Sequence, residues 1–265
     1  MIQQVGNRGD NRCATGVGVC NSLHACIDWH DVGYIRSRML ISHEEPKFIF
    51  IHIQKTGGVS ISNLLRRYIP TTTPGRGLRH ISARRALKQV ENPDDYFKFA
   101  FVRNPWDRLV SWYIMIDEAR RGVADGTAGP MRRRLIKKNN LFKYVLRCGP
   151  TFDEFVKNCT EKQWMGNCYY SFTFNQLRYL TDKNGEVLVD FIGRFENFEK
   201  DISHVFDMLG LEASKLEIPH ENRSTHSHYS EMYTPETREI VRKRFRRDIE
   251  FFGYEFETAP RQVVR

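Results

Sequence analysis

The sequence contains no hydrophobic run that approaches the ~20 residues a transmembrane helix requires. Its first residues, MIQQVGNRGDNRCATG, also lack the apolar segment of a secretory signal peptide. We therefore expect a globular chain with no transmembrane segment.

Cysteine is sparse, and its spacing excludes the common structural roles of this residue. The six cysteines include no C-x-x-C pair, and without a secretion signal we expect reduced thiols. His24, Cys26 and His30 match no common zinc-ligand spacing. We therefore expect no metal site.

Acidic residues are outnumbered, with 32 Asp and Glu against 41 Lys and Arg, so the net charge is +9. The basic residues concentrate in two segments, 120–138 and 242–247. Such segments are typical of solvated helix faces, but they would also attract a polyanionic ligand. The chain has no helix-turn-helix, zinc-finger or RNA-recognition motif, so we expect no nucleic-acid partner.

Length and hydrophobic periodicity predict one α/β domain with short extensions. The 265 residues suit a single globular unit. Residues 1–44 lack periodicity and predict a poorly structured extension, 45–258 form the domain, and 259–265 form a tail. Strand patterns alternate with helix patterns, which predicts a three-layer fold with a central parallel sheet. The strands are expected at 47–53, 97–102 and 187–192, and the helices at 58–68, 83–90, 105–120, 131–147, 152–158, 197–209 and 235–251.

The most informative stretch is FIFIHIQKTGGVSISNLLRRY, residues Phe48 to Tyr68. It reads as a buried strand, a short loop containing Lys55, Gly57 and Gly58, and a helix. Such a loop can bind a phosphate because its N–H groups and the helix N-terminus attract an anion, and Lys55 adds a full positive charge. The lysine precedes the glycines, which is the reverse of the Walker A order. An ordinary ATPase or GTPase therefore fits poorly.

A second stretch, FKFAFVRNPWDRLVSWY, predicts another strand followed by a helix. Arg103 lies at the carboxyl end of the strand, Asn104-Pro105 begins the helix, and Ser111 lies about two turns into it. Ligands of open α/β sheets bind beyond the carboxyl ends of the strands. Lys55 and Arg103 would both stand there, which suits a ligand with two separate anionic groups.

These two stretches resemble the phosphosulfate-binding and 3′-phosphate-binding motifs of sulfotransferases that use 3′-phosphoadenosine 5′-phosphosulfate (PAPS). The form HxxKTGGxS resembles the branch that contains the heparan and chondroitin sulfate sulfotransferases. Residues 189–211 and 234–256 resemble later parts of the same branch, so the resemblance covers about residues 47–256. It implies a P-loop NTPase-like sulfotransferase fold, PAPS as the sulfate donor and no metal.

The resemblance also implies roles for individual residues. Lys55 would act on the leaving group, and Arg103 and Ser111 would bind the 3′-phosphate, although Arg103 could instead pair with Asp107. The 5′-phosphate would be wrapped by residues of the loop and the first helical turn, namely Lys55, Thr56, Gly57, Gly58 and Ser60.

The acceptor requires a general base, and His80 is the best candidate because an imidazole titrates near neutral pH. A structural His80 is the main alternative for that residue. His52, Glu118 and a histidine of the 220–228 segment are further alternatives for the base.

The expected activity is transfer of a sulfuryl group from PAPS to an acceptor hydroxyl of a carbohydrate, which could be acidic. The alternatives are a small-molecule metabolite as the acceptor, a P-loop nucleotide-dependent kinase, and a non-catalytic anion-binding module. The expected location is the cytoplasm, or the Golgi lumen if the chain is a fragment that lacks its membrane anchor.

Overall fold

The computed structural model describes residues 39–75, 80–165, 168–217 and 228–258. These contain seven strands: β1 (Leu40–Ser42), β2 (Phe48–Ile51), β3 (Thr73–Pro74), β4 (Phe97–Val102), β5 (Gln163–Met165), β6 (Cys168–Tyr170) and β7 (Phe191–Arg194). Five of them form the central sheet in the order β3-β1-β2-β4-β7. β2, β4 and β7 are parallel, whereas β1 is antiparallel to both of its neighbours. β5 and β6 form a separate antiparallel hairpin.

The helices of the described residues are α1 (Gly58–Tyr68), α2 (Ala83–Ala86), α3 (Pro105–Ala124), α4 (Pro130–Lys138), α5 (Asn140–Cys148), α6 (Phe152–Asn158), α7 (Leu177–Leu180), α8 (Phe198–Met208), α9 (Pro235–Arg244) and α10 (Arg246–Phe252). Short 3₁₀ turns lie at Leu87–Gln89, Pro93–Asp95, Phe195–Asn197, Ala213–Lys215 and Tyr229–Met232. None of these helices is long and apolar enough to cross a membrane.

Alternation along β2 assigns its side chains to two different cores. Phe48 and Phe50 pack with residues of α1 and α8 on one face of the sheet. Ile49 and Ile51 pack with residues of α2, α7 and α10 on the other face. Successive side chains of a strand point to opposite faces, so a strand that is apolar at every position must be covered twice. The prediction of a three-layer α/β domain is confirmed at this level.

A third core lies among helices α3, α5, α6 and α9 rather than against the sheet. It is rich in aromatic residues, with Phe142 and Phe155 fully buried. Phe155 packs edge-to-face on Phe172, with ring centroids 4.8 Å apart. This helical layer positions α3, which contributes side chains to the site described below.

Two of the predictions about the sheet need correction. The extension predicted to be poorly structured over residues 1–44 includes β1, whose Leu40 and Ile41 are buried in two different cores. The structured domain therefore begins before residue 45. The sequence did not reveal this strand, because three residues are too few to show periodicity. The sheet is also not wholly parallel, since β1 runs against β2 and β3.

Three segments outside the sheet also differ from their predicted form. The helix expected at 131–147 is two helices, because the Asn139 side chain accepts hydrogen bonds from the backbone N–H groups of Leu141 and Phe142 and starts α5. The last helix is likewise interrupted at Phe245. The segment 160–175, for which no strand or helix was predicted, contains the β5–β6 hairpin.

Candidate active site

Two residues of the loop between β2 and α1 have a left-handed backbone conformation. Lys55 has φ of 65° and Gly57 has φ of 80°, and α1 starts at Gly58. The first N–H groups of a helix have no acceptor within the helix. The N–H groups at the start of α1 and the ammonium group of Lys55 therefore both attract anions to this loop.

Close packing at the loop requires glycine. A Cβ atom at Gly58 would lie 2.1 Å from the ring of His52, which leaves no room for any side chain. A Cβ atom at Gly57 would lie 3.0 Å from Phe198, in a backbone conformation that other residues rarely adopt. Both glycines therefore allow the loop to pack closely against His52 and Phe198.

Lys55 is a cation in a poorly hydrated position. Its Nζ atom lies 3.5 Å from Sδ of Met115 and 6.0 Å from the ring centre of Trp112. Burial and, to a smaller extent, the positive charge of Arg103 lower the pKa of Lys55 to about 8, against the opposing effect of Glu118. An anion bound at this loop would therefore stabilise the charged form of Lys55.

Arg103 lies directly after β4 and is 6% exposed. Its guanidinium donates to both carboxylate oxygens of Asp107, at 2.7 Å and 2.9 Å, so the alternative ion pair is present. It also donates to the backbone oxygen of Lys55 at 3.4 Å and lies 4.1 Å from the ring centre of Phe195. These bonds engage three of the five N–H groups of an arginine. Arg103 thus holds the loop in place and retains donors for a ligand.

The hydroxyl residues predicted to bind phosphate occupy different environments. Thr56 is fully buried and its hydroxyl donates to the Ile53 oxygen at 3.0 Å, so this hydroxyl is engaged within the loop. Ser60 lies buried in the first turn of α1. Ser111 is half-buried on α3, the helix that also supplies Met115 and Trp112 beside Lys55.

His80 lies against the loop, and its hydrogen bond fixes its tautomer. Its Nδ1 atom is 2.9 Å from the backbone oxygen of His52, and the two imidazole rings meet edge-to-face. A carbonyl oxygen can only accept, so Nδ1 carries the hydrogen and Nε2 of the neutral ring carries the lone pair. His80 also lines a cavity of about 900 Å³. A histidine in this state can accept a proton from a molecule in that cavity.

Arg108 is a structural member of the site that our sequence analysis missed. It is 3% exposed, and its guanidinium donates to the backbone oxygens of Gln54 at 2.9 Å and Phe174 at 3.1 Å. Burial lowers the pKa of Arg108. Arg108 directly follows Asp107 in the sequence, and no local pattern indicated that it is buried.

A second missed group holds the backbone of Arg103. The side chain of Gln176 accepts from the Arg103 N–H group at 2.9 Å and donates to the Arg103 oxygen at 2.8 Å. Asp248 in turn accepts from the backbone N–H groups of Gln176 and Leu177. Residues distant in sequence therefore fix the end of β4, and no local pattern could reveal them.

Residues 193–197, with the sequence GRFEN, support the end of the sheet through contacts with other parts of the fold. Glu196 accepts from the backbone N–H group of Asn104 at 2.5 Å and from the Tyr254 hydroxyl at 3.2 Å. The Arg194 guanidinium lies 5.0 Å from the ring centre of Tyr254. Glu196 therefore anchors the turn that leads from β4 into α3.

A family model described as "Sulfotransferase family" matches residues 37–255. This chain belongs to the sulfotransferase family. An uncharacterized protein of Archaeoglobus fulgidus is similar to it, with 34% identity over 120 residues, which cover 44% of this chain and 71% of that protein. No solved structure matches the chain. The family match begins at residue 37 and so includes β1, the strand that precedes the predicted domain boundary.

The family implies a sulfate donor, and the described part of this sulfotransferase brings the main predicted residues to one end of the sheet. Lys55, Arg103 and His80 are linked through the backbone of residues 52–55. Within the described residues, no group of three or more His, Cys, Asp and Glu is arranged to hold a metal ion. His24, Cys26, His30, His220, His226 and the 259–265 tail lie outside the described residues.

Proposed function

We propose that this sulfotransferase moves the sulfuryl group from PAPS to a hydroxyl group of an acceptor, and that the acceptor is a carbohydrate. The observation that carries the proposal is the pairing of two cationic residues at neighbouring strand ends. The Arg103 guanidinium donates to the backbone oxygen of Lys55 at 3.4 Å, so the two positions form one unit. PAPS carries one phosphate on the 3′ position and another on the 5′ position of its ribose. The 5′-phosphate would contact Lys55, and the 3′-phosphate would contact Arg103.

The residues of the loop have complementary roles in this reaction. The bond between sulfur and the 5′-phosphate oxygen breaks, a bond between sulfur and the acceptor oxygen forms, and adenosine 3′,5′-bisphosphate leaves. Negative charge develops on the leaving oxygen, where Lys55 and the N–H groups of Gly57, Gly58 and Ser60 would stabilise it. Arg103 and Ser111 would hold the 3′-phosphate away from the reacting atoms.

The acceptor hydroxyl must lose its proton, and we propose that His80 takes it. The hydrogen bond from Nδ1 to the His52 oxygen leaves Nε2 as the basic nitrogen of the neutral ring. The same histidine lines the cavity in which an acceptor would fit. We therefore assign Nε2 of His80 as the general base.

A nucleotide-dependent kinase finds less support at this site. Such enzymes hold magnesium through a carboxylate near the phosphates. Here β4 leads into Arg103 and β7 leads into Phe195. Asp107, the acidic residue nearest Arg103, is already bound to its guanidinium.

The donor assignment is tested by comparing two nucleotides in thermal unfolding. Adenosine 3′,5′-bisphosphate should raise the melting temperature, because a ligand bound only by the folded state stabilises it, by about 2.7 kcal/mol at 100 times its Kd. AMP should raise it much less, because it lacks the phosphate assigned to Arg103 and Ser111. Equal shifts with both nucleotides would contradict the 3′-phosphate site.

Ser111→Ala provides the matched variant for this test. It should reduce the advantage of the bisphosphate over AMP, whereas Ser203→Ala on α8 should not. The Ser203 hydroxyl donates to the Glu199 oxygen within its own helix at 2.8 Å. Arg103→Ala is a poorer variant, because the loss of that guanidinium would also release Asp107 and the Lys55 oxygen.

The low pKa of Lys55 gives a second, independent test of the donor site. At pH 8.5 a large part of Lys55 is neutral in the free protein, because its pKa is about 8. A bound anion favours the charged form, so bisphosphate binding should take up a fraction of a proton at this pH and much less at pH 7. Calorimetry in buffers with different ionisation enthalpies measures this uptake.

Lys55→Met is the control for the proton measurement. Phosphate groups titrate near pH 6 and are fully ionised at pH 8.5, so they do not contribute. The variant should bind more weakly and without proton uptake. Uptake that persists in Lys55→Met would assign the proton to another group.

A further inference from the structure

We propose that Gln176 is a positioning residue for the donor, because its side chain holds Arg103 in the orientation that binds the 3′-phosphate. This role rests on the proposed function, which assigns the 3′-phosphate to Arg103. Gln176 directly precedes α7 and is fully buried. Its amide contacts the backbone of Arg103, so Gln176 would influence donor binding through that arginine and not through a contact of its own with the ligand.

Arg103 lies where the neighbouring strands no longer support β4. The residue pairs of β4 end at Ala100 on the side of β2 and at Val102 on the side of β7. The side-chain amide of Gln176 takes the place of a neighbouring strand, since it accepts from the Arg103 N–H group at 2.9 Å and donates to the Arg103 oxygen at 2.8 Å. One side chain thereby satisfies both backbone polar groups of a buried residue.

A buried carboxylate fixes which way the Gln176 amide points. Oδ2 of Asp248 accepts from the Gln176 backbone N–H group at 2.7 Å and lies 3.4 Å from the side-chain nitrogen of the same residue. Oδ1 of Asp248 accepts from the Leu177 N–H group at 3.0 Å. A carboxylate accepts hydrogen bonds and cannot donate them, so the amide nitrogen faces Asp248. The amide oxygen consequently faces the N–H group of Arg103.

The segment that contains Gln176 also forms part of the cavity beside His80, because residues 173–175 line that cavity. The Arg103 guanidinium in turn donates to the backbone oxygen of Lys55 at 3.4 Å. One support therefore links the cavity, Arg103 and the phosphate-binding loop. A shift of Arg103 on this support would displace the donor relative to a molecule in the cavity, and a misplacement of about 1 Å can lower a rate about 100-fold.

The main test replaces Gln176 by methionine, which fills a similar volume but removes both bonds to Arg103. Calorimetric titration of the wild type and of Gln176→Met with adenosine 3′,5′-bisphosphate and with AMP measures the preference for the 3′-phosphate. This preference should fall about 10-fold or more in the variant, the usual effect of losing a hydrogen bond to a charged group. The affinity for AMP should change little, because AMP lacks the 3′-phosphate. The KM for PAPS should rise, while the pH-dependent rise of kcat assigned to His80 should remain.

Thr181→Val is the matched control at the other end of the same short helix. The Thr181 hydroxyl is buried and donates to the Leu177 oxygen at 3.1 Å. Its removal weakens this segment but takes no hydrogen bond from Arg103, so the preference for the bisphosphate should equal that of the wild type. A comparable loss of preference in Thr181→Val would overturn the specific role of Gln176.

Gln176→Glu tests the two hydrogen bonds through pH. A protonated carboxyl group offers Arg103 one acceptor and one donor, as the amide does, whereas the ionised form offers acceptors alone. Burial and the contact with Asp248 should raise the pKa of the introduced carboxyl group. Arg108, which interacts electrostatically with Asp248, opposes this effect. The preference for the bisphosphate, relative to that of the wild type at each pH, should therefore recover in part as the pH falls.

The outcomes separate the role of Gln176 from the donor assignment. A wild-type protein that binds the bisphosphate no more tightly than AMP would contradict the 3′-phosphate site itself, and the role of Gln176 with it. A wild-type preference that Gln176→Met retains would overturn the role of Gln176 and leave the donor assignment intact. If Gln176→Met does not fold, Gln176→Glu decides, because a preference that stays constant relative to the wild type at every pH would overturn the role.

Discussion

Lys55→Ala is expected to lower the turnover of sulfuryl transfer by about 100- to 1000-fold, the usual effect of removing one donor that stabilises developing charge. The ammonium group lies in a poorly hydrated position beside Met115 and Trp112, where a charge interaction is stronger than in water. Turnover is measured with labelled PAPS and an acceptor found by screening sugars and small metabolites.

Lys55→Arg and Lys200→Ala complete this series. The larger guanidinium of Lys55→Arg keeps the charge but cannot occupy the same space, so its turnover should lie between those of the wild type and Lys55→Ala. Lys200 is exposed on α8, and its removal should leave turnover unchanged. If Lys55→Ala retained near-normal turnover with weakened donor binding alone, Lys55 would be a binding residue rather than a catalytic one.

His80→Ala should reduce turnover by about 100-fold or more, the typical contribution of a positioned general base, while the affinity for the bisphosphate stays near that of the wild type. The wild-type rate should rise with pH through the range in which imidazole titrates, because only the neutral ring accepts a proton. That rise should be absent from the variant. The pH dependence of kcat, determined for both proteins, measures the effect.

His80→Asn distinguishes a base from a structural residue. An asparagine amide can still donate to the His52 oxygen, as Nδ1 of His80 does, but it cannot accept a proton. If His80 only supports the loop, His80→Asn should restore turnover and the pH profile. If His80 is the base, both variants should be equally impaired. A restored His80→Asn would direct the search to His52 or Glu118.

The sequence predicted the elements of this protein wherever its pattern was long and local. The bounds of α1, β4 and α6 agree with the predicted ranges, because strand alternation and helix periodicity depend on neighbouring residues. The start of α3 at Pro105 was predicted for the same reason. Lys55, Gly57 and Gly58 were recognisable for the same reason. A left-handed turn before a helix requires particular residue types at particular positions.

Only the tertiary structure decided which charges face a ligand and which are internally paired. Arg103 and Asp107 are four residues apart, so their pairing could be considered from the sequence, but the Lys55 oxygen that Arg103 also binds is distant along the chain. The clusters at 120–138 and 242–247 attracted attention through local density, although Asp117 and Glu239 neutralise part of them. The cavity beside His80 became visible only when folding brought separate segments of the chain together. Charge interactions depend on distance in space, whereas a sequence records only distance along the chain.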